Sequence, residues 1–169
     1  MIIAAYAGVG KTTFAKLYPD HAIDFTMGKY KYLPNKDYCQ DENNEAMKAN
    51  HFSERNFEYP RNYFNAIMEA LEQNPNKYII IPSDCGTLDY FEDYDIPYTL
   101  CYPRREAKEE YRKRYIERGN NERFLEIFIG RWAWYMELLH NEFSFPSAKR
   151  IVLEAHQFLS DVIPIRQGG

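Results

Sequence analysis

The stretch Ala5-Tyr6-Ala7-Gly8-Val9-Gly10-Lys11-Thr12-Thr13 decides how this chain folds. An apolar run, Met1 to Ala4, leads into it, and a helix-forming segment, Phe14 to Tyr18, leaves it and stops at Pro19. Strand, glycine-bearing loop and helix in that order turn backbone N–H groups inward onto phosphate oxygens, and the helix dipole adds positive potential. The spacing of a small residue, four positions, then Gly-Lys-Thr matches such a loop, with Ala5 where the first glycine usually stands. Gly8 and Gly10 fall where close approach or positive φ excludes a Cβ. The phosphate contacts are therefore assigned to Ala7, Gly8, Val9, Gly10, Lys11, Thr12 and Thr13. Lys11 is placed to reach the outer phosphates, and the Thr12 hydroxyl to hold a phosphate-bound Mg2+.

At 169 residues the chain fits one domain with a sizeable core. A formal charge of −4 argues against non-specific nucleic-acid binding as the main activity. No apolar stretch reaches the length of a membrane span, and a first strand starting at Met1 leaves no room for a targeting peptide. Cys39, Cys85 and Cys101 are odd in number and lack metal-ligand spacing, which fits a reducing cytoplasm. Aromatic residues reach 17%, enough that some are expected to line a ligand site rather than the core.

Strands are expected at His21–Phe25, at the apolar run Tyr78–Ile81, at Ile96–Tyr102 and at Arg150–Leu153. Helices are expected from Pro60, taken as a first helical position, to Asn74; over Thr87–Tyr94; over Arg104–Arg118, with Gly119 as its cap; and over Gln157–Val162. One long helix, capped by Asn120 or Asn121, is expected to run to about Asn141 and bury Phe124, Ile127, Phe128, Trp132, Tyr135 and Leu139. Strands alternating with helices imply an α/β fold with a parallel sheet covered by helices on both faces. Residues 26–59 show no clean period and carry many aromatics and cations, as functional excursions do.

In parallel sheets, ligands bind at the carboxyl ends of strands, which selects Asp24, Ser83 and Asp84, and Tyr102, Arg104 and Arg105 after the fourth strand. Asp24 or Asp84 suits a metal held through water, the alternative for each being the capping of a βα turn. Arg55 and Arg61 are the candidate phosphate clamps of the excursion. Between Tyr102 and Arg123 stand eight Lys and Arg against five acids, so an acidic chain carries a locally basic helix. Arg112, Arg114 and Arg118 are its candidates for neutralising a moving phosphoryl group. The bland alternative is a solvated helix laced with Glu–Arg pairs. His21, His51, His140 and His156 are isolated in sequence and read as structural or surface residues.

These segments together resemble P-loop kinases of the nucleoside-monophosphate-kinase type, and more closely the small adenylate-kinase-like proteins of phages and Gram-positive bacteria. The resemblance is carried by the loop at Ala5–Thr13, by Arg55–Tyr63, by Ile79-Ile80-Ile81-Pro82-Ser83-Asp84, by Ile96–Gly119 and by Ile151–Ile163. It implies a P-loop NTPase fold in one domain spanning 1–169, with a five-stranded parallel sheet. It also implies an acceptor-binding excursion near 26–61 and a short helical lid near 103–123. ATP and Mg2+ would serve as donor and metal, and a nucleoside monophosphate or similar small molecule as acceptor, in the cytoplasm. An Asp-Gly-aromatic-Pro-Arg segment that follows the third strand in ordinary adenylate kinases is replaced here by Pro82-Ser83-Asp84. That departure leaves two further readings standing: a nucleotide-hydrolysing module working with a macromolecular partner, and a kinase of a non-nucleotide metabolite.

Overall fold

The computed structural model describes residues 1–33 and 54–165. Tyr38, Cys39, His51 and Phe52 of the expected excursion lie outside the described residues. Five strands, β1 (Ile2–Ala5), β2 (Ala22–Asp24), β3 (Tyr78–Pro82), β4 (Tyr98–Pro103) and β5 (Ala148–Leu153), form one sheet in the order β2-β3-β1-β4-β5. Every pairing is parallel, with Ala5 opposite Pro82 on one side and Cys101 on the other. Ile79, Ile80 and Ile81 are completely buried, as a continuous β-branched run in a central strand demands.

Helices flank this sheet. They are α1 (Lys11–Leu17), α2 (Gly28–Lys31), α3 (Arg61–Gln73), α4 (Cys85–Asp93) and α5 (Lys108–Glu117), then α6 (Glu122–Leu125), α7 (Trp132–His140) and α8 (Leu159–Val162). α3 buries Tyr63, Phe64, Ile67 and Ala70, one stripe of an amphipathic helix. Pro60 precedes this helix as its cap rather than opening it. Asn121 caps α6 by accepting from the Phe124 N–H at 2.9 Å, and Gly119 takes a left-handed φ of 74° just after α5.

One expectation is corrected. The helix from Asn121 to Asn141 is not continuous: a π turn at Glu126–Gly130 and a break at Arg131 divide it. The widened turn changes the angular step, so Ile129, Trp132, Met136 and Leu139 enter the core while Phe124, Ile127, Phe128 and Tyr135 are only half-buried. The basic helix α5 packs into the core through Tyr111 and Tyr115, both fully buried, and exposes Arg112, Lys113 and Arg118. The reason is aromatic complementarity. Tyr6, at the end of β1, meets Tyr111, Phe128, Trp132 and Tyr135 at centroid distances of 6.4, 5.7, 5.9 and 5.8 Å.

The chain leaves β1 toward β2 on one side of the sheet and leaves β3 toward β4 on the other. The point of reversal therefore lies between β1 and β3, where open parallel sheets form a crevice at their carboxyl edge.

Candidate functional site

The loop between β1 and α1 occupies that edge. Gly8 and Gly10 have φ of 85° and 91°, so the left-handed region is used at both positions. A Cβ on Gly8 would stand 2.8 Å from the Tyr115 ring, and one on Gly10 would stand 3.2 Å from Phe158. The glycines thus serve local conformation and close packing together.

The loop carbonyls are hydrogen-bonded within the protein one after another. Lys11 Nζ donates to Ala5 O at 3.2 Å and Tyr6 O at 3.1 Å. Tyr115 OH donates to Ala7 O at 2.8 Å, Arg114 Nη1 to Gly8 O at 3.2 Å, and the Leu159 N–H to Val9 O at 3.0 Å. The Phe14 N–H takes Gly10 O at 2.9 Å as α1 begins. No side chain caps α1, so its first-turn N–H groups remain for an anion.

Lys11 is half-buried, and desolvation pulls its ammonium down to about 8; Asp24 opposes the shift and Arg118 adds to it. Beside it, Thr12 Oγ1 donates to Asp24 Oδ2 at 2.5 Å. A hydroxyl and a carboxylate in contact, both oxygen donors, fit Mg2+ chemistry. Among the described residues no cluster of three metal-ligating His, Cys, Asp or Glu side chains occurs, so Mg2+ here would draw its remaining ligands from phosphate and water.

Next to the loop opens a cavity of about 1160 Å3. One side is built from Ala5 to Ala7, Lys11 and Pro82 to Gly86, the ends of β1 and β3. Lys31, Tyr32 and Arg55 form a second side, where Tyr32 and Arg55 pair in an antiparallel bridge. The third side is residues 121–135, with Phe124, Phe128, Trp134 and Tyr135 among them.

The sequence candidates separate at this site. Lys11, Thr12 and Asp24 come together as expected from their positions. Asp84 lines the cavity but also caps α4, accepting from the Thr87 N–H at 3.2 Å and from Tyr59 OH at 2.6 Å, with Lys31 Nζ 3.6 Å away. Burial, with Asp84 adding to it, drives the Tyr59 hydroxyl far above its ordinary range, so Tyr59 is a fixed donor. Arg55 lines the cavity, whereas Arg61 is held by Glu58 at the surface and is absent from the wall. Arg112 is exposed and also absent from the wall. Arg118 is exposed, yet close enough to depress Lys11.

Arg114 differs most from its expected role. Its guanidinium sits 4.6 Å from the Tyr111 ring centre and 4.1 Å from that of Phe158, and it donates to Gly8 O, Ala155 O and Glu110. It therefore braces the loop from outside instead of facing the cavity. Lys31, Arg131 and Trp134 were not among the sequence candidates. Trp134 carried a signal, since it lies off the stripe of Trp132, Met136 and Leu139 and so had no place in the core.

Among the described residues no helix is long and apolar enough to cross a membrane. Comparison with family models, curated proteins and solved structures gives no match for this chain.

Proposed function

We propose that the chain is a P-loop phosphotransferase moving the γ-phosphoryl group of ATP to a small acceptor, with a nucleoside monophosphate the class the cavity suits. One juxtaposition supports the reading. A glycine loop whose carbonyls are held by Lys11, Arg114 and Tyr115 places Lys11 in the wall of a large cavity holding both cations and aromatic faces, and Thr12, bonded to Asp24, is the next residue along α1. The loop N–H groups and the α1 dipole bind and orient the phosphates. The Lys11 ammonium leaves its carbonyl partners for the phosphate oxygens, where charge develops during transfer. Thr12 and Asp24 would hold Mg2+, which would supply charge neutralisation at the phosphate oxygens. The bond from the γ-phosphorus to the β,γ-bridging oxygen breaks, an acceptor oxygen takes its place, and ADP leaves. Catalysis then consists of positioning and charge stabilisation, with no protein nucleophile.

A coupled assay for ADP, run with Mg·ATP against every ribo- and deoxyribonucleoside monophosphate, tests this. Turnover is expected with at least one acceptor, falling about a hundredfold or more in Lys11→Ala. Asp24→Asn is expected to raise the Mg2+ concentration needed for half-maximal rate by about tenfold. No ADP with any acceptor overturns the proposal. Acceptor-independent hydrolysis would select the hydrolysing-module reading instead.

A further inference from the structure

The cavity touches the loop at Ala5, Tyr6, Ala7 and Lys11, but Gly8, Gly10, Thr12 and Thr13 are not in its wall. A molecule filling it therefore meets the β1 end of the loop and the Lys11 side chain and does not reach Thr12 or Thr13 of α1. On the reading above, that is where the transferred group leaves the donor, so this cavity belongs to the acceptor.

Its far wall is a continuous aromatic surface. Phe124 and Phe128 lie 4.4 Å apart, Phe128 and Tyr135 stack at 5.7 Å with planes 14° apart, and Trp134 meets Tyr135 at 4.9 Å. The π turn creates this surface by directing Phe128 to the cavity while Ile129 goes to the core. Such turns recur where a helix has been bent to serve a site. Trp134 is the clearest member: it is 56% exposed at the cavity, whereas Trp132, two residues away, is 4% exposed against Tyr6. An indole left open beside stacked rings offers a face to another planar ring. Arg131, also in this wall, makes no ion pair among the described residues, and Lys31 and Arg55 stand in the wall with Met27 and Tyr32.

We propose that the wall of residues 124–135 is the base-stacking subsite of the acceptor. The nucleobase of a nucleoside monophosphate lies on Trp134, Tyr135 and Phe128, and Arg131 attends its anionic end. This rests on the phosphotransferase reading for the word acceptor, though the stacking itself does not need turnover. It moves base recognition away from residues 26–61, where the sequence placed it.

Tryptophan fluorescence of the full chain tests the subsite without ATP present, since Trp134 is exposed and Trp132 is a buried internal control. Titration with nucleoside monophosphates is expected to give a saturable quench that ribose 5-phosphate does not give and that Trp134→Phe abolishes. In turnover, Trp134→Ala is expected to raise the acceptor KM about tenfold and leave the KM for ATP unchanged. A saturable quench with no turnover for any acceptor would sink the kinase reading and keep the stacking subsite. Turnover without any Trp134 response, or a quench given by ATP and by no monophosphate, overturns the subsite.

Discussion

At the scale of single residues, Lys11 carries the sharpest consequence. Its folded pKa of about 8 lies below the ordinary 10.5, so the folded chain without ligand bears a penalty for a desolvated charge. That penalty is full below pH 8 and is relieved as pH rises from 8 to 10.5, where the folded chain keeps a neutral amine while the unfolded chain still binds the proton. The stability of the wild-type chain relative to Lys11→Met is therefore expected to improve over that window, by on the order of 2 kcal/mol after allowance for partial exposure. Paired urea titrations at pH 7.5 and 10 measure it, and a flat difference would contradict the buried charge. Phosphate beside Lys11 restores the preference for the ammonium. ATP binding above pH 8 should thus take up a proton, visible in calorimetry across buffers of different ionisation enthalpy. The strand–loop–helix turn at Gly8–Lys11 could be read from sequence because its determinants, two glycines with positive φ and the start of α1, are local. Arg114 could not be, because its partners at Gly8, Ala155 and Gln157 are carbonyls 106, 41 and 43 residues away.

At the scale of elements, α5 is a brace. Tyr111, Arg114 and Tyr115 project from one side of the helix onto the loop, with Phe158 closing the guanidinium from the far side. Tyr115→Phe leaves the Ala7 carbonyl without its donor and is expected to cost about 1–2 kcal/mol. Arg114→Ala removes a nearly buried guanidinium from three carbonyls and Glu110, for about 3 kcal/mol. Arg112→Ala, on the exposed side, should stay within about 0.5 kcal/mol. Thermal unfolding of the three variants ranks them, and equal effects of Arg112 and Arg114 would refute the brace. The parallel strands were legible because apolar runs such as Ile79–Ile81 have one use in an α/β chain. The segment 121–141 was misread for a physical reason. Helical periodicity registers apolar spacing but not its destination, and here one stripe supplies both the core, through Trp132, Met136 and Leu139, and the cavity wall, through Phe124, Phe128 and Tyr135.

At the scale of the whole molecule, strand order and aromatic content join into one design. The reversal between β1 and β3 opens the crevice; β1 ends in the glycine loop, and Tyr6 anchors the helices that form the opposite wall. Loop and wall are thus two faces of one core, and a ligand touching both is held by rigid elements on each side. This geometry sets apart two nucleosides joined by five phosphates from ATP alone. Two adenosines so linked would place one end at the loop and the other on Trp134, so a single molecule would gain both sets of contacts. At a hundred times its Kd such a ligand stabilises the fold by about 2.7 kcal/mol, which for a chain of this size raises Tm by about 5–10 °C. ATP at the same concentration is expected to give a smaller shift, because it lacks the stacking end. Trp134→Ala should reduce the gain from the dinucleotide toward that from ATP while leaving the ATP shift in place. Equal shifts from the two ligands in the wild-type chain would mean that only one nucleoside is held, and the two-walled cavity would then not be the acceptor's.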